Sequence, residues 1–249
     1  MVWGVHAVTE VIRGSRQVSA LLVAEGAERE PGLRELIEAA RRRGLQPLLR
    51  RRSELDRLVG GATHQGVVAL CGEYVYATLG EILQRAAGAS PLVLVLDGVT
   101  DPQNLGALLR CACVLGAHGV VLPQDRAAPV TAAAVRASAG ASEQIAVARV
   151  PNLVRALGEL REAGLWLLGA VAALDAAPLW EVDLAGPTAL VLGSEGRGLR
   201  PLVRKTCDRL VTVPMAPGLR GASLNVAAAG AVLLYEALRQ RKPSPHSSR

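Results

Sequence analysis

The stretch Leu190-Val191-Leu192-Gly193-Ser194-Glu195-Gly196-Arg197-Gly198 decides how this chain folds. An unbroken apolar run fits a strand buried on both faces. A glycine-rich loop follows directly, and such loops let a ligand approach the backbone closely. Working outward, residues 92–96 form a second apolar run, and Asp101-Pro102 then supplies a helix N-cap and a first-turn proline. Strand patterns recur at 119–122, 145–150, 165–170, 188–192 and 210–213. Helix patterns fall between and after them, at 102–115, 130–139, 152–163, 199–206 and 224–241. Unbroken apolar strands alternating with helices predict a mostly parallel α/β sheet covered on both faces. Ligands of such sheets sit at the C-terminal ends of the strands, where the motif loops lie.

The first 73 residues read as a separate small α/β unit. Helices are predicted over 5–13 and 31–43, the second closed by Gly44, with strands over 20–23 and 65–70. Residues 74–91 join the halves through a short helix over 79–87. The organisation is therefore 1–73, a joining segment 74–91, a large domain 92–242, and a tail 243–249 expected to be disordered.

Half of the 249 residues are hydrophobic, but Phe is absent and aromatics are 2%. The core must be Leu, Val and Ala, and a site cannot rely on many aromatic platforms. The formal charge is +6, and nearly every cation is Arg; the lysines are Lys205 and Lys242. Arginine makes planar, bidentate contacts with phosphate, so a nucleic-acid partner is expected. The triplets Arg41-Arg42-Arg43 and Arg50-Arg51-Arg52 read as a phosphate-contacting surface or as solvated helix ends. Cys71, Cys111, Cys113 and Cys207 show no metal-ligand spacing and read as buried, reduced thiols of a cytoplasmic protein. No signal-peptide pattern is present, and the richest apolar run, 165–174, is too short to span a membrane. Neither a phosphate-loop nor a dinucleotide fingerprint occurs, which disfavours an NTPase or a standard dehydrogenase.

The polar residues that can carry chemistry are few. Arg110 is a lone charge in the run Leu108-Leu109-Arg110-Cys111, and needs an anionic partner or an open site. Asn104 stands in the first turn of the same helix, six residues earlier, and so on a different stripe. Glu195 lies on the glycine loop. Ser223 and Asn225 open the last helix, where Ser223 can equally be a plain N-cap.

Taken together, Asp101-Pro102-Gln103-Asn104-Leu105-Gly106 with Arg110, the loop 193–198, and Val213-Pro214-Met215 with Ser223-Leu224-Asn225-Val226 resemble the three motifs of the SpoU (TrmH) class of RNA ribose 2′-O-methyltransferases. Gly4-Val5-His6-Ala7-Val8 and His64-Gln65-Gly66-Val67 more loosely resemble the ribosomal-protein-like RNA-binding domain of the ribosomal RNA branch of that class. The likeness is greatest to enzymes of a 23S rRNA guanosine.

That resemblance implies properties which periodicity cannot give. The C-terminal part would be tied in a deep trefoil knot, an arrangement that general topology rules disfavour. S-adenosylmethionine would bind in the knot loops, and the protein would be a homodimer with the site near its interface. Leu192, Gly193, Val213, Met215 and Leu224 would hold the cofactor. Arg110, Asn104, Glu195, Ser223 and Asn225 would form the catalytic set, acting on RNA without a metal. Arg110 is the family's favoured catalytic residue, as a base or a phosphate clamp; a guanidinium is a poor base, which favours the clamp. The loop 216–222 is longer than the pattern expects, which puts the role of Arg220 in doubt. Competing readings are a tRNA guanosine or rRNA adenosine enzyme of the same class, and a non-catalytic RNA-binding ribosome-assembly protein.

Overall fold

A computed structural model describes residues 1–173, 175–216 and 223–241. The tail expected to be disordered, Lys242, Leu174 and the loop carrying Arg220 lie outside the described residues.

The N-terminal part comprises β1 (Val2–Trp3), α1 (Val5–Arg13), β2 (Val18–Ala24), α2 (Pro31–Arg42), β3 (Pro47–Arg50), α3 (Arg52–Leu58) and β4 (Val67–Cys71). Its sheet runs β1-β4-β2-β3, with β2 and β3 parallel and the other pairs antiparallel. β1, β3 and α3 were not expected from sequence. β1 is only two residues long, and β3 is an edge strand with exposed Leu48 and Leu49, so neither carries a buried apolar pattern. The second arginine triplet ends β3 and starts α3; it is not the helix C-terminus that the charge rule pointed to. Arg43 of the first triplet has a structural task, since its guanidinium donates to the carbonyls of Val11, Ile12 and Arg16 at the end of α1.

Two motif segments of this part meet. Val5 N–H donates to Gln65 Oε1 at 3.0 Å, and Gly4 N–H to the Val67 carbonyl at 3.3 Å. Gly66, at φ +80°, leaves no room for a side chain, because a Cβ there would lie 2.9 Å from that of Ala27.

The joining segment packs into the second layer system. Ala77 bridges to Ala148, Tyr74 Oη donates to the Ser142 carbonyl at 2.7 Å, and α4 (Leu79–Gln84) begins with a capping box from Thr78 and Glu81. Ile82 of α4 is fully buried, directly against Gly119.

The second sheet holds β5 (Leu92–Asp97), β6 (Gly119–Pro123), β7 (Ala146–Val150), β8 (Trp166–Ala170), β9 (Ala177–Pro178), β10 (Thr188–Gly193) and β11 (Arg209–Thr212). Their order is β7-β6-β5-β10-β8-β11-β9 and every pair is parallel, as the unbroken apolar runs require. β9 went unread because it adds only two residues at one edge. The covering helices are α5 (Pro102–Val114), α6 (Ala132–Ala137), α7 (Leu153–Glu162), α8 (Pro201–Thr206) and α9 (Val226–Arg241). Asp101 caps α5 and Asn152 caps α7 through side-chain oxygens. Small residues set the helix spacing: a Cβ on Gly230 of α9 would sit 2.3 Å from Leu108 of α5. This places the start of α9 beside the start of α5, at the C-terminal edge of β10.

The four cysteines are unpaired and half-buried, not fully buried as expected. Cys111 and Cys113 lie on the α5 stripes flanking the core-facing Leu108, Leu109 and Ala112. No helix among the described residues is long and apolar enough to cross a membrane.

Candidate active site

The site stands where β10, β8 and β11 end. Just past β10, the loop 194–198 closes on itself: Ser194 N–H donates to the Gly198 carbonyl at 3.1 Å, and Gly198 N–H returns a bond to Ser194 at 2.9 Å. Gly193 makes this possible, since a Cβ there would lie 2.1 Å from the Gly198 carbonyl carbon. Gly196 and Gly198 have φ of +78° and +65°, conformations that L side chains rarely adopt. A buried carboxylate anchors the far end of the loop: Asp97, at the tip of β5, accepts from the backbone N–H of Arg200 at 2.7 Å. Sequence reasoning passed over Asp97, although a carboxylate ending an otherwise apolar strand is a signal of that kind.

Under this loop lies a cavity of about 490 Å³, a size typical of small-molecule sites. Leu192, Gly193, Val213, Met215 and Leu224 all line it, together with Glu195, Ser223 and Asn225. The sequence reading missed Ala170, Val171 and Ala172 at the end of β8 and just past it, and Ala229 and Leu233 on α9. They are small or aliphatic residues with no chemical signature of their own; only the parallel register of β8 beside β10 brings the first three in.

At the rim, three of the expected polar residues meet from three distant segments. Asn104 Nδ2 donates to Glu195 Oε1. Asn225 Nδ2 lies 3.2 Å from Asn104 Oδ1 and 3.4 Å from Glu195 Oε1. Asn225 also caps α9, its Oδ1 accepting from Ala227 N–H at 2.8 Å. The N-cap reading entertained for Ser223 therefore belongs to Asn225, and Ser223 stays exposed at the cavity edge. The Glu195 carboxylate thus accepts from two amides at one oxygen, which fixes it, and among the described residues its second oxygen has no partner.

Arg110 is not part of this cluster. It lies further along α5, exposed, and lines a separate groove with His6, Glu10, Cys113, Ser138 and Ala139. No group of three or more metal-ligating side chains occurs among the described residues.

Comparison with known proteins agrees with this geometry. The model of the SpoU rRNA methylase family matches residues 91–235, and that of the RNA 2′-O ribose methyltransferase substrate-binding domain matches residues 1–77. The 23S rRNA (guanosine-2′-O-)-methyltransferase RlmB of Pseudomonas aeruginosa is 43% identical over 249 residues, covering 97% of each chain. The SpoU methyltransferase AviRb of Streptomyces viridochromogenes, solved in complex with the cofactor AdoMet, superposes with a TM-score of 0.78 at 29% identity, over 96% of this chain and 89% of that one. A TrmH/SpoU tRNA modifying enzyme of A. aeolicus superposes at 0.54 and 25% identity, over 65% of this chain and 83% of its own. With both halves matched and the motif loops gathered around one cavity, this chain belongs to the SpoU rRNA methylase family.

Proposed function

We propose that this protein is an S-adenosylmethionine-dependent RNA methyltransferase that modifies a ribose 2′-oxygen of a guanosine in 23S rRNA. The observation that carries the reading is the joining of Asn104, Glu195 and Asn225 by hydrogen bonds at the mouth of a cavity walled by the three motif loops. The near-full-length likeness to a protein named for that reaction supports the choice of substrate. The tRNA enzyme matches only 65% of the chain, which disfavours tRNA.

The cavity fits the cofactor. Leu192, Val213, Met215 and Leu224 give aliphatic walls for the adenosine, and the closed loop after Gly193 turns backbone toward the pocket, which suits a chain poor in aromatics. When bound, S-adenosylmethionine supplies a methyl group already activated by its positive sulfur. The remaining work belongs to the protein's own residues. Glu195, held by two amides, orients the ribose hydroxyl or the base of the target nucleotide. Ser223 borders the same mouth and fixes the nucleotide. Arg110, exposed in its own groove along α5, clamps an RNA phosphate.

Three further properties follow from the family reading. The C-terminal chain is knotted. The protein is a homodimer, to which the exposed Val232 and Tyr235 of α9 lend an apolar face. It works in the cytoplasm, on ribosomal RNA.

The test is methyl transfer from labelled S-adenosylmethionine to matched transcripts of 23S rRNA, 16S rRNA and bulk tRNA, with the 2′-O-methyl positions mapped. Label on one 23S guanosine is the expected result. Label on tRNA alone would keep the chemistry and overturn the substrate. Cofactor binding without transfer to any RNA, intact subunits included, would favour a non-catalytic assembly role.

A further inference from the structure

The N-terminal motif Gly4-Val5-His6-Ala7-Val8 contains one residue with no structural task. Gly4 and Val5 bond to the segment Gln65–Val67, and Ala7 and Val8 are buried in the core. In the partner motif, His64 is buried between Asp56 and Gly66 N–H. His6 is exposed, and among the described residues neither the His6 nor the Arg110 side chain takes part in a hydrogen bond or ion pair.

These two side chains line one groove of about 480 Å³ between α1 and α5. Both of its walls are fixed. A Cβ on Gly140 would lie 2.6 Å from Glu10 Cβ, so α1 sits hard against the turn after α6. Gln144 Nε2 donates to Glu10 Oε2 at 2.6 Å, and the half-buried Arg16 pairs with Glu143 at 3.1 Å across the same junction. Ala139, at the groove, has φ +50°, a strained conformation for a residue with a side chain. Glu10 is the acid in the groove, and its carboxylate already accepts from Gln144 and Arg13. The unengaged polar groups that remain are a guanidinium and an imidazole, both able to donate to phosphate oxygens.

We propose that His6 is a substrate-positioning residue: it contacts a phosphate of the substrate RNA beside the phosphate held by Arg110, so that the RNA backbone threads the groove between α1 and α5. This rests on the reading of Arg110 as a phosphate clamp. It makes the N-terminal unit hold the RNA backbone alongside Arg110, and not only serve as a distant capture surface.

The test compares wild type, His6→Ala, His6→Arg and Arg110→Ala on whichever 23S transcript wild type labels, with RNA binding measured over a range of salt. His6→Ala should raise KM for the transcript about tenfold, as expected for one lost charge-assisted contact, with kcat and cofactor affinity held. The Kd for the transcript should rise in step, and His6→Arg, which supplies a fixed cation with the same reach to phosphate, should restore both KM and Kd. A wild-type KM and Kd in His6→Ala overturns the proposal. So does a defect that His6→Arg leaves in place while the melting temperature falls, since that marks a structural role. If wild type methylates no RNA, the methyltransferase reading fails separately; the Kd of 23S transcript binding still judges the groove, and an unchanged Kd in His6→Ala overturns it.

Discussion

The Asp97 carboxylate, 1% exposed at the tip of β5, accepts from Arg200 twice: from its backbone N–H at 2.7 Å and its Nε–H at 2.5 Å. The bond pair fastens the end of the β10 loop to the neighbouring strand and so sets the roof of the cavity. A buried carboxylate is costly unless fully bonded. Asp97→Ala leaves the Arg200 N–H without its acceptor, while the arginine head is partly solvated and its ion pair screened. We expect a loss of about 2 kcal/mol in urea unfolding. Cofactor affinity measured by calorimetry should weaken as well. Unchanged affinity in a folded variant would show that the loop holds its shape without this anchor.

The rim amides should act as one unit. Asn104→Ala removes a donor to Glu195, and so does Asn225→Asp, which keeps the oxygen that caps α9 while setting a second carboxylate against Glu195. If each lowers kcat/KM about tenfold, independent action predicts about a hundredfold loss in the double variant. We expect markedly less than that product, because both substitutions release the same carboxylate. Strict additivity of kcat/KM would mean that the amides contact substrate separately and do not work through Glu195.

Gly193 offers a sharper test of the cavity. Alanine there would push a carbon to 2.1 Å from the Gly198 backbone, a clash no rotamer change can relieve. Overpacking of this kind costs about 1–3 kcal/mol, and the loop must open to accommodate it. Equilibrium dialysis with labelled S-adenosylmethionine should show affinity reduced at least about tenfold. Gly196→Ala meets no neighbour and bears only the strain of its φ of +78°, so it should be milder. Equal defects in both variants would assign the effect to backbone freedom and not to contact.

How much of this was legible in the sequence depends on what each residue does. The parallel sheet showed itself in the unbroken runs at β5 and β10, because strands covered on both faces have no polar positions to interrupt them. The cofactor wall showed itself only through resemblance, since Leu192 or Val213 looks like core in any sequence. β3 and α3 were hidden because an exposed edge strand and a seven-residue helix carry little periodicity. The separation of Arg110 from the Asn104 cluster was half legible: a spacing of six residues puts the two on different stripes, but only the packing of α1 against the turn after α6 shows what Arg110 faces instead.

The acid sensitivity of the fold should centre in part on His118. Burial lowers its pKa below the usual histidine value. Its Nδ1 accepts from Leu92 N–H at 2.9 Å, a bond that needs the unprotonated nitrogen, and the Arg241 cation nearby also opposes a second charge. A histidine whose folded pKa lies below its unfolded value of about 6.5 binds protons more readily in the unfolded chain. Its contribution is therefore fully present above about pH 6.5 and is lost as pH falls through the folded value. Urea unfolding at pH 7.5, 6.0 and 5.0 should show stability declining toward the acid side, with carboxylates adding to the fall at the lowest pH. In His118→Gln the part of the decline between pH 7.5 and 6.0 should shrink. Glu143 works in the opposite sense: burial raises its pKa despite the Arg16 partner, so its contribution is present at low pH and lost as pH rises through the raised value. An identical slope above pH 6 in wild type and His118→Gln would remove His118 as the sensitive group.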